Sequence, residues 1–304
     1  MKKSRIIAIF LAAVMALISL TGCSLFQPTA VSITKKVMKN LETVKSVKGS
    51  IRADYEGPAS IEGIEFNLAL NADLNMETVR DSGVSHVKGS VGTELPVFGE
   101  ISLPVESYMM TRDDEAVVYA SMDGENWLKL ENDKENAQET EKLPNYKVML
   151  GILQKIVSGD IKAVLAEETE MRGEREVYRM DVNVSGELIG EILRAADDMS
   201  GEGSSISEDL DFTGADANIV LYVYKDEMLP AAATVDCTAL GSLLIKDMLK
   251  ENGVSVTTDK FVITVDDLEY NTIDELKIPE KVISSAADAP DAPDSGLFEN
   301  ASGL

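Results

Sequence analysis

Ile64-Glu65-Phe66-Asn67-Leu68-Ala69-Leu70-Asn71-Ala72-Asp73-Leu74-Asn75-Met76 is the stretch that decides the fold. Every second residue from Ile64 to Met76 is apolar, and Glu65, Asn67, Asn71, Asp73 and Asn75 stand between them. A period of two is the mark of a strand. A strand this long, dry on one face and wet on the other, belongs to an antiparallel sheet with one side in water. The same alternation comes before it at Val47, Ile51, Ala53 and Tyr55, with a turn expected at Gly57-Pro58. It continues after it near 84–92, 100–111, 115–122 and 126–131, where Asp123-Gly124 favours a hairpin between the last two strands. It returns at Tyr178, Met180, Val182 and Val184, then near 217–225 and 231–239. A last long strand is expected over 254–270, and its parity changes between Val265 and Leu268, which signals a bulge.

Helical spacing interrupts these strands. Val37, Met38, Leu41 and Val44 make a stripe over 31–46; Val148, Met149, Ile152, Leu153 and Ile156 make another over 145–157, where Pro144 suits the first turn. Leu188, Ile189, Ile192 and Leu193 mark a helix over 186–198, and Leu243, Leu244, Met248 and Leu249 one over 241–251. Residues 160–168 read as a further turn of helix. Residues 132–142 read as a polar loop, and 197–209 as a loop of Gly, Ser and acid. Many amphipathic strands and a few amphipathic helices give an α+β fold: one curved antiparallel sheet, a half-barrel, with helices packed on its apolar concave face.

The N-terminus has its own pattern. Lys2, Lys3 and Arg5 form a basic head, Ile6 to Leu20 is an apolar run, and Leu20-Thr21-Gly22-Cys23 closes it. The run is short of the roughly 20 residues that a spanning helix needs, and the layout is that of a signal segment. A small residue directly before a cysteine looks like a bacterial lipoprotein signal, in which the Cys23 thiol takes a diacylglyceryl group and cleavage leaves Cys23 first. The expected organisation is a signal peptide at 1–22, a lipidated tether at 23–30, one domain at 31–283 and a disordered tail at 284–304. The tail holds too few apolar side chains to offset ordering entropy.

Composition narrows the function. The net charge is −25, and loss of the signal's three cations makes the mature chain more acidic still. Nucleic acid and anionic headgroups are bound by Lys and Arg clusters, so the expected membrane link is the acyl group on Cys23, with no nucleic-acid partner. Only two cysteines exist. With Cys23 lipidated, Cys237 has no intramolecular disulfide partner, and it reads as a small buried hydrophobe on a strand face shared with Ala231, Ala233 and Val235.

Catalytic patterns are weak. The single histidine, His86, sits in Val84-Ser85-His86-Val87-Lys88 as an outward strand residue, and no G-x-S-x-G element accompanies it. One His and one free Cys do not make a zinc site. Asp209-Leu210-Asp211-Phe212-Thr213-Gly214 has the oxygen spacing of a calcium loop, but Val220 stands where a bidentate Glu is required. Trp127 reads as a plug at the end of its hairpin rather than as a sugar platform. No cofactor, no metal and no enzymatic activity are expected.

Four features together resemble the LolA/LppX-like group of bacterial lipoproteins, the LppX/LprG type and its Gram-positive relatives of unknown function. They are the helix after the lipidated cysteine, the strand opening Val47-Lys48-Gly49-Ser50-Ile51, the hairpin Val118-Tyr119-Ala120-Ser121-Met122-Asp123-Gly124-Glu125-Asn126-Trp127, and the late Tyr270-Asn271 followed by Ile278-Pro279-Glu280-Lys281-Val282. The chain here is longer, through the 197–209 loop and the 241–251 helix. The resemblance implies a half-barrel whose concave face holds acyl chains, on the outer face of a Gram-positive plasma membrane. The leading expectation is a membrane-anchored extracytoplasmic lipoprotein that binds or carries a lipid or other amphiphile, with Phe66, Leu68, Leu70, Met149, Leu153, Met180 and Val182 lining the cavity. The alternative is a non-enzymatic envelope interaction or sensor module with a filled core.

Overall fold

A computed structural model describes residues 28–61, 64–95, 99–112, 115–131, 144–198, 210–249 and 254–288. The signal segment and Cys23 lie outside them, as do the loops expected at 132–142 and, but for its first two residues, at 197–209, and the tail beyond Asp288.

The chain builds one sheet from two meanders. The first follows helix α1 (Ala30–Leu41) and runs β1 (Ser46–Ile61), β2 (Ile64–Val79), β3 (Val84–Leu95), β4 (Gly99–Arg112), β5 (Glu115–Ser121) and β6 (Leu128–Glu131). The second follows α2 (Pro144–Ser158) and runs β7 (Ala163–Leu165), β8 (Glu170–Arg172), β9 (Arg175–Val184), α3 (Gly186–Asp198), β10 (Ala217–Tyr224), β11 (Pro230–Asp236), α4 (Thr238–Leu249), β12 (Val254–Val256) and β13 (Lys260–Tyr270). Short α5 (Glu280–Ser285) and β14 (Ala287–Asp288) follow. The strand order is β14-β6-β5-β4-β3-β2-β1-β13-β11-β10-β9-β7, so the β1–β13 ladder is the seam between the meanders. All pairings are antiparallel except β14 on β6. The sheet is curved and, among the described residues, β7 and β14 do not pair.

The decisive stretch is the middle of β2, which pairs residue for residue with β1 from Ser46↔Val79 to Ile61↔Ile64. Gly57-Pro58 is therefore not a turn; β1 runs straight through it. The Pro58 carbonyl accepts from the Thr257 N–H at 2.9 Å, so its missing donor faces the gap between β12 and β13, where no ladder bond is lost. At Gly57 a side chain would run into the Thr257 backbone, and at Gly89 into Asp73 of β2; such close approaches let a long sheet bend.

The expected 254–270 strand is two strands, β12 and β13, broken where the Thr257 and Asp259 N–H groups turn onto the Pro58 and Glu56 carbonyls. The bulge between Val265 and Leu268 is present. Lys48 faces Glu269 and Ser50 faces Asp266, which leaves Gly49 opposite Asp267 and Leu268, with Asp267 at φ 53°.

Helix α1 starts with a capping box between Thr29 and Ser32 and ends at Leu41, short of the expected residue 46. The Arg80 guanidinium donates to the Leu41 and Glu42 carbonyls at 3.2 and 2.7 Å and satisfies that helix end. Residues 163–165, expected as helix, are strand β7, because Ala163, Val164 and Leu165 find partners on β9.

The described residues continue past the expected domain end at 283, with α5 reaching Ser285 and β14 at Ala287–Asp288. Residues 271–288 form a strap over the polar, convex face. Leu276, Ile278, Val282 and Ala286 pack there against Val84, Tyr108, Tyr119 and Trp127, and Ala287 N–H donates to the Trp127 carbonyl. His86 stacks on Tyr108 at 4.3 Å and contacts Glu106 at 3.0 Å.

Burial alone would raise the Glu106 pKa, but hydrogen bonds with His86 and Lys88 hold it below the usual carboxylate value. A carboxylate lowered in the folded state adds stability above its unfolded pKa and loses it as pH falls through the folded one. Urea unfolding of the wild type should therefore weaken more steeply between roughly pH 5 and 3 than that of Glu106→Gln; parallel pH profiles would rule this pair out as a stabiliser.

Candidate functional site

Register carries one parity through the whole sheet. Leu165, Met180, Leu221, Ala233, Val265, Ile51, Leu74, Gly89 and Val105 are successive partners from β7 to β4, so they share one face. The neighbouring row runs from Ala163 and Val182 through Ile263, Ala53 and Ala72 to Val91 and Leu103. Both meanders thus turn their apolar side chains the same way, into the concavity.

The helices cover this face unevenly. At the β7–β10 end, Ile33, Val37 and Leu41 of α1 and Leu153 and Ile156 of α2 join Met180, Val182, Val184 and Val223 in one cluster. Met180 is 0% and Val182 3% exposed. Near the seam α4 takes over, with Gly241 against the Phe261 ring and Phe261 edge-on to Tyr55 at 6.2 Å. Beyond the seam the same face opens. Leu70 is 40%, Val91 40% and Leu103 47% exposed, and Ile64, Ile101, Leu128 and Leu130 are exposed on the same face. Exposed apolar residues that stand singly are ordinary, but a contiguous patch marks a surface that something covers.

The expected site residues therefore divide. Leu153, Met180 and Val182 lie in the packed cluster. Phe66, Leu68 and Leu70 lie on β2 in the open half, with Phe66 and Leu68 half-buried. Met149 falls in α2, but its side chain is outside the described residues. Sequence reasoning missed Val91, Ile101 and Leu103, although the same alternation was present in β3 and β4.

The reactive groups have structural employment. Cys237 is buried, and burial pushes its thiol up to about 11, which keeps it protonated and inert. Asp211 accepts from the Thr213 N–H, and Asp216 from the Gly186 N–H at the start of α3, so the acidic stretch serves a turn and a helix end. Among the described residues no group of three or more His, Cys, Asp or Glu is placed to hold a metal, and no helix is long and apolar enough to cross a membrane.

The model of DUF6612, a family of unknown function, matches residues 29–287. The chain belongs to DUF6612. Its matched segment takes in α1, both meanders and the strap as far as Ala287. No curated protein matches it. Similar solved structures include LprF from Mycobacterium bovis, 11% identical, covering 82% of this chain and 95% of that one, with a TM-score of 0.39. Lipoprotein LppX from Mycobacterium tuberculosis is 10% identical over 81% of this chain and 97% of its own, with a TM-score of 0.37. A DUF1329 family protein from Desulfovibrio piger is 9% identical over 81% and 95%, at a TM-score of 0.22.

The two halves of the DUF6612 face should respond differently to truncation. Met180→Ala should cost about 2–5 kcal/mol in urea unfolding, whereas Leu103→Ala should stay within about 0.5 kcal/mol. Equal losses at both positions would mean that the β2–β6 half is packed after all.

Proposed function

We propose that this protein is a lipid-anchored extracytoplasmic lipoprotein that binds the hydrocarbon part of a lipid or other amphiphile on its concave face. The observation that carries the reading is the mismatch between a continuous apolar face and helices that cover only part of it. An acyl chain laid on β2–β4 removes its own surface and that of Leu70, Val91 and Leu103 from water. Each buried CH₂ contributes about 0.8 kcal/mol. Binding alone needs no proton transfer and no covalent step. The packed β7–β10 half acts as the rigid wall, and the open half as the ligand surface.

The anchor completes the reading. Lys2, Lys3 and Arg5, the apolar run to Leu20 and the Gly22-Cys23 junction support lipidation at Cys23, which would hold the domain at the outer face of a Gram-positive plasma membrane. The few residues between Cys23 and α1 would keep the domain close to the bilayer from which its ligand would come.

Two measurements test this. Residues 24–304, produced without the anchor and purified in mild conditions, should retain a stoichiometric lipid in native mass spectrometry. Leu70→Glu should abolish retention with little change in the unfolding midpoint. A ligand-free protein that also refuses lipid probes would overturn the reading in favour of an envelope interaction module. In the full-length chain, Cys23→Ala should move the protein from the membrane fraction to the soluble one; unchanged fractionation would remove the anchor.

A further inference from the structure

Every charged residue within the described strands β1–β6 lies on one parity. Lys48, Arg52, Asp54 and Glu56 of β1, Glu65, Asp73 and Glu77 of β2, His86, Lys88 and Glu94 of β3, and Glu100 and Glu106 of β4 all alternate with the concave set. Among the described residues of β1–β6, the concave face carries no Asp, Glu, Lys, Arg or His. This is expected of a packed core, where a charge would be desolvated. It is informative on a face whose residues are 40% or more exposed, as Leu70, Val91 and Leu103 are, because nothing in packing forbids a Lys or Arg there.

The polar atoms that do occur on this face are hydroxyls. Thr78 donates to Ser85 at 3.0 Å across β2 and β3, and Ser107 lies on the adjacent strand β4, diagonal to Ser85. Thr93 is already engaged with the Ala69 carbonyl. Hydroxyls match ester, hydroxyl and other neutral oxygen groups, but they do not neutralise a phosphate. From Ile101 to Met109 the strip measures about 27 Å at the strand rise, longer than the roughly 15 Å depth of one leaflet. An extended acyl chain therefore fits between its ends, and its polar end meets hydroxyls at the Thr78–Ser85 end, where the Arg80 guanidinium is already engaged with the Leu41 and Glu42 carbonyls.

Taking the proposed function as its basis, we infer that the concave face selects a neutral acyl lipid over an anionic phospholipid with the same chains. A phosphate brought to this face loses water without gaining a counter-charge. It also approaches a chain of net charge −25, whose carboxylates Glu65, Glu94 and Glu100 lie close by in the sheet, near the Ile64 and Ile101 end. The same chains on an uncharged glycerol bury the same hydrocarbon without either penalty.

The test offers the mature chain, with Cys23→Ser to keep it unanchored, equimolar dioleoylglycerol and dioleoylphosphatidylglycerol in detergent micelles, and counts the bound species by native mass spectrometry. The neutral lipid should exceed the anionic one by roughly tenfold or more. Val91→Lys places a cation in the open strip at a position that packing leaves free, and should raise the phosphatidylglycerol share several-fold. Equal loading of both lipids by the wild type, or a share that Val91→Lys leaves unchanged, would overturn the selectivity while lipid binding stands. Retention of neither lipid would overturn lipid binding on this face, and the selectivity with it. Circular dichroism on the variant confirms that a changed share is not a changed fold.

Discussion

The β1–β13 ladder is the constraint on which the rest of this protein depends. Each meander has its own alternation and its own apolar face. Only the register of the seam makes those two faces one. Strand parity allows no compromise: a slip of one residue at the seam would turn the second meander's apolar set to the convex side. Near one end of the ladder, Gly49 opposite Asp267 and Leu268 absorbs an extra residue. The bulge lets Val47 and Lys48 pair with Tyr270 and Glu269 while Ile51 and Val265 keep their place on the concave row. Gly49 suits the site because a side chain there would meet the Asp266 carbonyl and the Leu268 side chain.

Much of this was legible because alternation is a local signal. Ile64–Met76 announced β2, and the parity change after Val265 announced the bulge. The helix spacing at 145–157 and 186–198 matched α2 and α3 to within a residue. What escaped was set by partners far away in sequence. Gly57-Pro58 has the composition of a turn, and only the Thr257 backbone beside it explains why it is strand. Ala163-Val164-Leu165 is too short to show a period and becomes strand by pairing with β9. Residues 284–288 have the composition of a fading end, yet Ala286 packs on the cluster of Tyr108 and Trp127, and the Ala287 N–H donates to the Trp127 carbonyl.

The candidate site shows the same limit. Parity put Phe66, Leu70, Met180 and Val182 on one face, and they do share it. It could not say which part of the face the helices would cover, because that depends on where α1, α2 and α4 dock. Sequence gives the face, and tertiary packing divides it. The division also separates two physical tasks. The β7–β10 half supplies cohesion through buried side chains, and the β2–β6 half leaves apolar side chains in contact with water without loosening that cohesion.

The strap has a consequence for how the protein comes into being. Trp127 and the outer edge of β6 belong to the first meander, while the residues that cover them, Ile278 to Asp288, emerge more than a hundred residues later. In between, a growing chain presents an unpaired strand edge and a bare aromatic cluster on its outer side. The arrival of the strap closes both at once. A protein truncated within the last segment would keep its seam and its packed half and still display the edge, which makes it a ready target for proteolysis.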